Sequence, residues 1–176
     1  MKAMLMILMT LIILIPGLDA DVMPDFRLPD ANNHDMRLSD ILGKGPVLIE
    51  FWASWCTPCK ASMTQLDLLQ KKYDSLTVVV ISIDAPKDIS KAKNYLKSKG
   101  FGFIALFDTE KRLAQQLNVT NPPHTFILDS EGRIVYSHVS YKAGDEAEYE
   151  EQIIALLPVP EDPDPLPESS LPGDCQ

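Results

Sequence analysis

The chain has 176 residues, 45% of them hydrophobic and 23% charged, with a formal net charge of −9. That balance is ordinary for a globular protein, and three cysteines are too few for a disulfide-built scaffold, so folding must rest on packing. With 25 acidic residues against 16 basic ones, and Lys87, Lys91, Lys93, Lys97 and Lys99 readable as the solvated face of one helix, no basic stripe exists for nucleic acid.

The first stretch carries Lys2, then Ala3 to Ile15 without a charge, then Pro16 and Gly17, the layout of a secretory signal. It is shorter than the ~20 apolar residues a membrane-spanning helix usually needs, which favours export over a permanent span. Ala20 suits the residue before a cut, whereas Leu18 is larger than the usual small residue there, so both a cleaved signal and an N-terminal anchor over 1–20 stay open. At the other end, residues 158–176 hold six prolines and five acids with no Lys or Arg, and read as an extended, disordered tail. Cys175 lies near its end, as a spare thiol or as a tethered resolving cysteine. Between the two, residues 21–157 are expected to form one folded domain.

Within it, Asp21 to Asp40, broken by Pro24, Pro29 and Asn32-Asn33, predicts a short hairpin at a sheet edge. Leu38 to Leu42 before Gly43-Lys44-Gly45 is a helical turn stopped by glycine, and Pro46 opens a strand through Phe51 or Trp52. That strand leads to Cys56-Thr57-Pro58-Cys59. From Pro58 to about Tyr73 the positions Cys59, Met63, Leu66, Leu69 and Tyr73 recur at three and four, a helix with one buried face. Leu76 to Ile83 is a β-branched run suited to a parallel strand covered on both faces, ended by Asp84 to Pro86. Ile89, Ala92, Tyr95 and Leu96 line a helix closed by Gly100, followed by a strand over Phe101 to Phe107 and a short helix around Leu113, Ala114 and Leu117. His124 to Leu128 and Arg133 to Val139 flank a glycine turn as a hairpin, and Asp145 with Glu148 predicts an Asp-x-x-Glu cap for a last helix through Leu157. The element order predicts an α/β fold, a mixed central sheet flanked by helices.

Two cysteines three residues apart at a helix start can close a disulfide locally, so the pair can exist as dithiol or disulfide without rebuilding the fold. A structural zinc site needs four ligands, and the chain offers no second Cys-x-x-Cys and only His34, His124 and His138, so redox use is favoured and no metal or cofactor is expected. Just ahead of its helix, Cys56 would face free amide donors and the positive end of the dipole, which favour a thiolate nucleophile. Cys59, one turn in, would attack the mixed disulfide and resolve it. Glu50 lies in an apolar run, where a carboxylate is costly unless paired or hydrated; burial would raise its pKa and suit it to exchange a proton with Cys59.

The stretch Phe51-Trp52-Ala53-Ser54-Trp55-Cys56-Thr57-Pro58-Cys59 resembles the thioredoxin signature. With Pro24 to Asp30, Leu38-Ser39-Asp40 and Pro123-x-Thr125-Phe126-Ile127-Leu128-Asp129, residues 23 to 157 resemble the exported TlpA/ResA-like branch of that superfamily. The resemblance implies a thioredoxin fold with an N-terminal β-hairpin extension and a central insertion. It also implies a periplasmic thiol:disulfide oxidoreductase acting on protein thiols or disulfides, as in cytochrome c maturation, and recharged by a membrane or periplasmic redox donor. Glu50 matches thioredoxin's buried acid, and Pro123 the cis-proline that lends its neighbours' backbone to a substrate. Many TlpA/ResA-like proteins carry a glutamate three residues after the second cysteine, where this chain has Ser62. Pro122 has no amide hydrogen to give a docked peptide. Trp52 and Trp55 are expected to divide between core and surface, with Trp55, Pro122 and Pro123 bordering the substrate. Thr57-Pro58 holds no histidine to stabilise the thiolate strongly, so a reductant is expected rather than an oxidant. Two rivals are a copper-binding metallochaperone-like module using Cys56, Cys59 and His124, and a peroxiredoxin-type peroxidase, whose Pro-x-x-x-Thr/Ser-x-x-Cys frame is missing before Cys56.

Overall fold

The computed structural model describes residues 22–157; the expected leader or anchor and the acidic tail with Cys175 lie outside the described residues. The N-terminal hairpin pairs β1 (Arg27–Pro29) with β2 (Asp35–Arg37) as a separate two-stranded sheet. Its turn is held by Asp30, whose carboxylate accepts the amides of Asn32 and His34. A 3₁₀ turn over Leu38–Asp40 follows.

Five strands make the main sheet: β3 (Val47–Trp52), β4 (Thr77–Ser82), β5 (Ile104–Phe107), β6 (His124–Leu128) and β7 (Ile134–Val139), in the order β5-β4-β3-β6-β7. β3, β4 and β5 run parallel, whereas β6 and β7 are antiparallel to their neighbours, so the sheet is mixed as expected. β3 is central and buried along its whole length, which explains its continuous apolar run. β7, at the edge, alternates half-buried and exposed residues.

Four helices complete the fold: α1 (Thr57–Lys72), α2 (Ile89–Lys99), α3 (Arg112–Gln116) and α4 (Asp145–Leu156). α1 buries Cys59, Ser62, Met63, Leu66 and Leu69, the face set by the three-and-four spacing. It packs beside α4 on the side of the sheet to which Glu50 and Thr125 point. α2 and β5 lie between β4 and α3 as the central insertion. The hairpin extension touches the β5 edge through a bridge between Asp30 and Leu106. Gly100 ends α2 in the left-handed conformation, at φ 66°, and Gly45 is required by space, because a Cβ there would run into the carbonyl of Ser75.

Two elements depart from expectation. β5 starts at Ile104 rather than Phe101, because pairing with β4 begins at Val79↔Ile104; before it, Phe101 and Phe103 stack on each other and the Gly102 carbonyl accepts from Gln70. Asp145 is not the cap of α4: Gly144 takes that place at φ 108°, and the Asp145 carboxylate turns back to accept the Lys142 amide and to pair with His138. No helix among the described residues is long and apolar enough to cross a membrane.

Candidate active site

β3 delivers the chain to the Ala53–Trp55 turn, closed by the Cys56 amide donating to the Ala53 carbonyl at 3.0 Å. Cys56 is the N-cap of α1, and its Sγ accepts the Cys59 amide at 3.2 Å. The two cysteines are joined as a disulfide. Cys59 is fully buried and Cys56 is 4% exposed, so the outer sulfur is the one nearer to solvent. Pro58 sits in the first turn, where its missing N–H leaves no helix bond unmade. The Cys56 sulfur thus lies against the N-terminus of α1.

The turn is held from the side by Asp84, just past β4. Its carboxylate accepts the Ser54 amide at 2.8 Å, the Ser54 hydroxyl at 2.7 Å and the Ser82 hydroxyl at 2.9 Å.

Beneath the pair lies Glu50, with no exposed surface. Ser62, one turn beyond Cys59 on the same face of α1, donates its hydroxyl to Glu50 Oε2, while Oε1 has no partner. Burial pushes the carboxyl up to about 8, with the Ser62 and Thr125 hydroxyls acting against that rise. With the disulfide formed, burial therefore favours the neutral, protonated form of Glu50. Three residues after Cys59, Ser62 thus places a hydroxyl bonded to the acid on the strand.

On the outer side, the Pro122–Pro123 bond is cis; Pro123 is buried, and its carbonyl accepts the Ser140 amide at 2.8 Å. Pro122 is half-buried. Trp52 is buried against Tyr95, whereas Trp55 is 64% exposed and lines a groove of about 280 Å³ with Lys60, Lys91 and Tyr95. His124 is buried, stacked on Phe126, with Nε2 at 2.9 Å from the Ser137 hydroxyl. Burial first, and then nearby His138, hold its pKa below the usual imidazole value. The copper arrangement needs His124 beside the sulfurs, but among the described residues no three His, Cys, Asp or Glu side chains converge as a metal site. His34 lies in the hairpin turn beside Asp30, and His138 pairs with Asp145 at 3.1 Å.

The Redoxin family profile matches residues 18–153 of the chain. The chain belongs to the Redoxin family. The chain is 32% identical over 112 residues to the thiol-disulfide oxidoreductase ResA of Bacillus subtilis, a match covering 64% of this chain and 62% of ResA. It is 35% identical over 127 residues to the thioredoxin-like protein YneN of the same organism, covering 71% of this chain and 74% of YneN. Among solved structures, a Chlorobium tepidum protein assigned as the thiol:disulfide interchange protein DsbE superposes with a TM-score of 0.71 at 32% identity, over 77% of this chain and 95% of that one. The Redoxin assignment, the ResA-like relatives and the mixed sheet together make this a thioredoxin-superfamily protein of the TlpA/ResA-like kind.

Three contributors to this Redoxin site escape sequence reasoning. Asp84 reads there only as the end of a strand, Ser62 only as a departure from relatives, and Thr125 only as part of a motif. A signal existed for Asp84: an acid directly after a β-branched run ends in a buried place and must be satisfied there.

Proposed function

We propose that the protein is an exported thiol:disulfide oxidoreductase that reduces disulfides of partner proteins with the Cys56/Cys59 pair. The observation that carries this reading is the disulfide at the N-terminus of α1, with the carboxyl of Glu50 buried on the adjoining strand and bonded to Ser62 of the same helix. In the reduced enzyme, the Cys56 thiolate attacks one sulfur of a substrate disulfide, forming a mixed disulfide and releasing the other substrate sulfur as thiolate. Cys59 then gives its proton to ionised Glu50 and attacks Cys56 Sγ. The second substrate thiolate leaves, the pair is oxidised by two electrons, and Glu50 is left protonated, the state favoured at pH 7 in the oxidised structure. When a redox donor reduces the pair again, that proton returns to Cys59.

On this reading Pro122, Pro123 and Trp55 border the substrate at Cys56. Because Pro122 has no N–H, an extended substrate would dock there with one backbone bond fewer than a strand usually gains. The leader-like residues 1–20 support export to the periplasm, by cleavage or as an anchor. The TlpA/ResA-like resemblance makes apocytochrome c cysteines the first substrates to test, and Thr57-Pro58 supports a reducing couple. Trapping tests the reading: in a Cys59→Ala variant, substrates remain disulfide-linked to Cys56 and can be identified by mass spectrometry. A reduction potential near that of a strong oxidase, ~−120 mV, would reverse the assigned direction.

A further inference from the structure

Glu50 faces a row of hydroxyls that the redox cycle described above does not use. Across the β3–β6 ladder it stands directly opposite Thr125, which has no exposed surface. Behind Thr125 is Tyr149 of α4, also fully buried, its ring packed edge-on against Tyr136 and His138. The Thr125 hydroxyl acts on both the Glu50 carboxyl and the Tyr149 phenol. Yet with the disulfide formed neither contact closes to hydrogen-bond geometry, and Glu50 Oε1, Thr125 Oγ1 and Tyr149 OH are all buried without a partner. Unpartnered buried polar atoms are uncommon one at a time; three in sequence, beginning at the free oxygen of a buried acid, call for a physical reason.

A neutral carboxyl already served by Ser62 needs no further donor, whereas a carboxylate in this place would need several. We propose that Thr125 and Tyr149 are positioning residues that complete a three-hydroxyl cage around Glu50 when it ionises. Thr125 then donates to Oε1, Tyr149 donates to Thr125 Oγ1, and Ser62 remains on Oε2. Thr125 can serve because a hydroxyl accepts and donates at once and its hydrogen rotates freely. Tyr149 can serve because burial pushes its phenol upward, keeping it a proton donor throughout the working range. Glu50 must be ionised to accept the Cys59 proton, so the cage sets how readily it becomes competent. This inference rests on Glu50 being the proton partner of Cys59.

The titratable neighbours that bear on the assignment are few. α1 supplies Cys59, α2 supplies Tyr95, α4 supplies Tyr149 with Asp145 beyond it, and Tyr141 lies within electrostatic range; β4 presents Val80 opposite Glu50, and β7 presents His138 opposite Thr125. Among the neighbours shown to act on the Glu50 carboxyl, no cation takes part, so hydroxyl donors are what can stabilise its charge.

The test reads Glu50 directly in the oxidised full-length protein, by the infrared carbonyl band of its protonated carboxyl, assigned by its loss in Glu50→Gln and followed against pH. Thr125→Val, which keeps shape and loses the hydroxyl, is expected to move the midpoint up by about one pH unit, a tenfold drop in the ionised fraction below the midpoint. Tyr149→Phe is expected to move it the same way by less, about threefold, and Thr125→Ser to restore the parent midpoint. Coincident midpoints for Tyr149→Phe and the parent, with Thr125→Val either coincident or unfolded, would overturn the cage. Insulin reduction by the parent protein is measured alongside. A parent that fails to reduce insulin counts against the proposed function and leaves the titration readable, whereas an active parent with unmoved midpoints counts against the cage alone.

Discussion

Two carboxylates are buried near the disulfide, Glu50 within β3 and Asp84 just past the end of β4, and they are treated in opposite ways. Asp84, 1% exposed, accepts three hydrogen bonds from Ser54 and Ser82 and fixes the turn that presents Cys56. Glu50, fully buried on the neighbouring strand, receives one from Ser62 and keeps an oxygen bare. A carboxylate saturated with donors is a structural anchor; one left short of them holds its proton and can trade it. The contrast separates the region that shapes the site from the region proposed to move protons through it.

The largest effect expected from breaking this contrast is on the anchor. Asp84→Ala strands two hydroxyls and the part-buried Ser54 amide, and should cost about 3 kcal/mol of stability, read from chemical denaturation. It should also slow attack by Cys56, because the Ala53–Trp55 turn loses its lateral support.

Glu50→Gln should do the reverse. The resolving step should slow by roughly a hundredfold, seen as a longer-lived mixed disulfide in stopped-flow traces, because the proton acceptor is gone. Stability should rise, and the sign follows from linkage. Folded Glu50 keeps its proton to about pH 8, while the unfolded chain releases it near the ordinary 4.5. Across that window the unfolded state binds fewer protons, so parent stability falls as pH rises, and the advantage of Glu50→Gln should grow from about pH 5 to 8 and then level off. Denaturation at a series of pH values checks this; a constant difference would mean Glu50 is not buried in the neutral form.

Ser62→Ala should have a smaller effect, of the same sign as deepening the burial. Removing the single donor on Oε2 should lift the Glu50 midpoint by about one pH unit and carry the pH profile of resolution with it. A parallel loss of rate at every pH, with no displacement of the profile, would instead assign Ser62 to packing.

How legible each region was depends on how local its causes are. The cysteine pair, the buried face of α1 and the mixed sheet follow from spacing along one segment, and the chain shows them openly. The Glu50 surroundings depend on residues twelve positions away in Ser62, opposite in register in Thr125, and on another helix in Tyr149. No periodicity connects such residues. Asp145 shows the converse failure: the Asp-x-x-Glu pattern is present, but a left-handed Gly144 takes the cap position and leaves the carboxylate to His138 and Lys142. The short β5 belongs with it, since β propensity in Phe101 and Phe103 yields to their stacking on each other.

The smallest effect belongs outside both carboxylate regions, at the rim. Trp52 and Trp55 are three residues apart, yet one fills the core against Tyr95 and the other stands 64% exposed beside Cys56. Exposure of that size leaves little packing to lose, so Trp55→Ala should change stability by no more than about 0.5 kcal/mol. If the groove it shares with Lys60, Lys91 and Tyr95 receives substrate, the variant should raise KM for a protein disulfide a fewfold with kcat unchanged, and leave the reaction with a small disulfide untouched. An equal loss on both substrates would place Trp55 with the residues that shape Cys56, on the Asp84 side of the contrast, rather than with those that meet the partner.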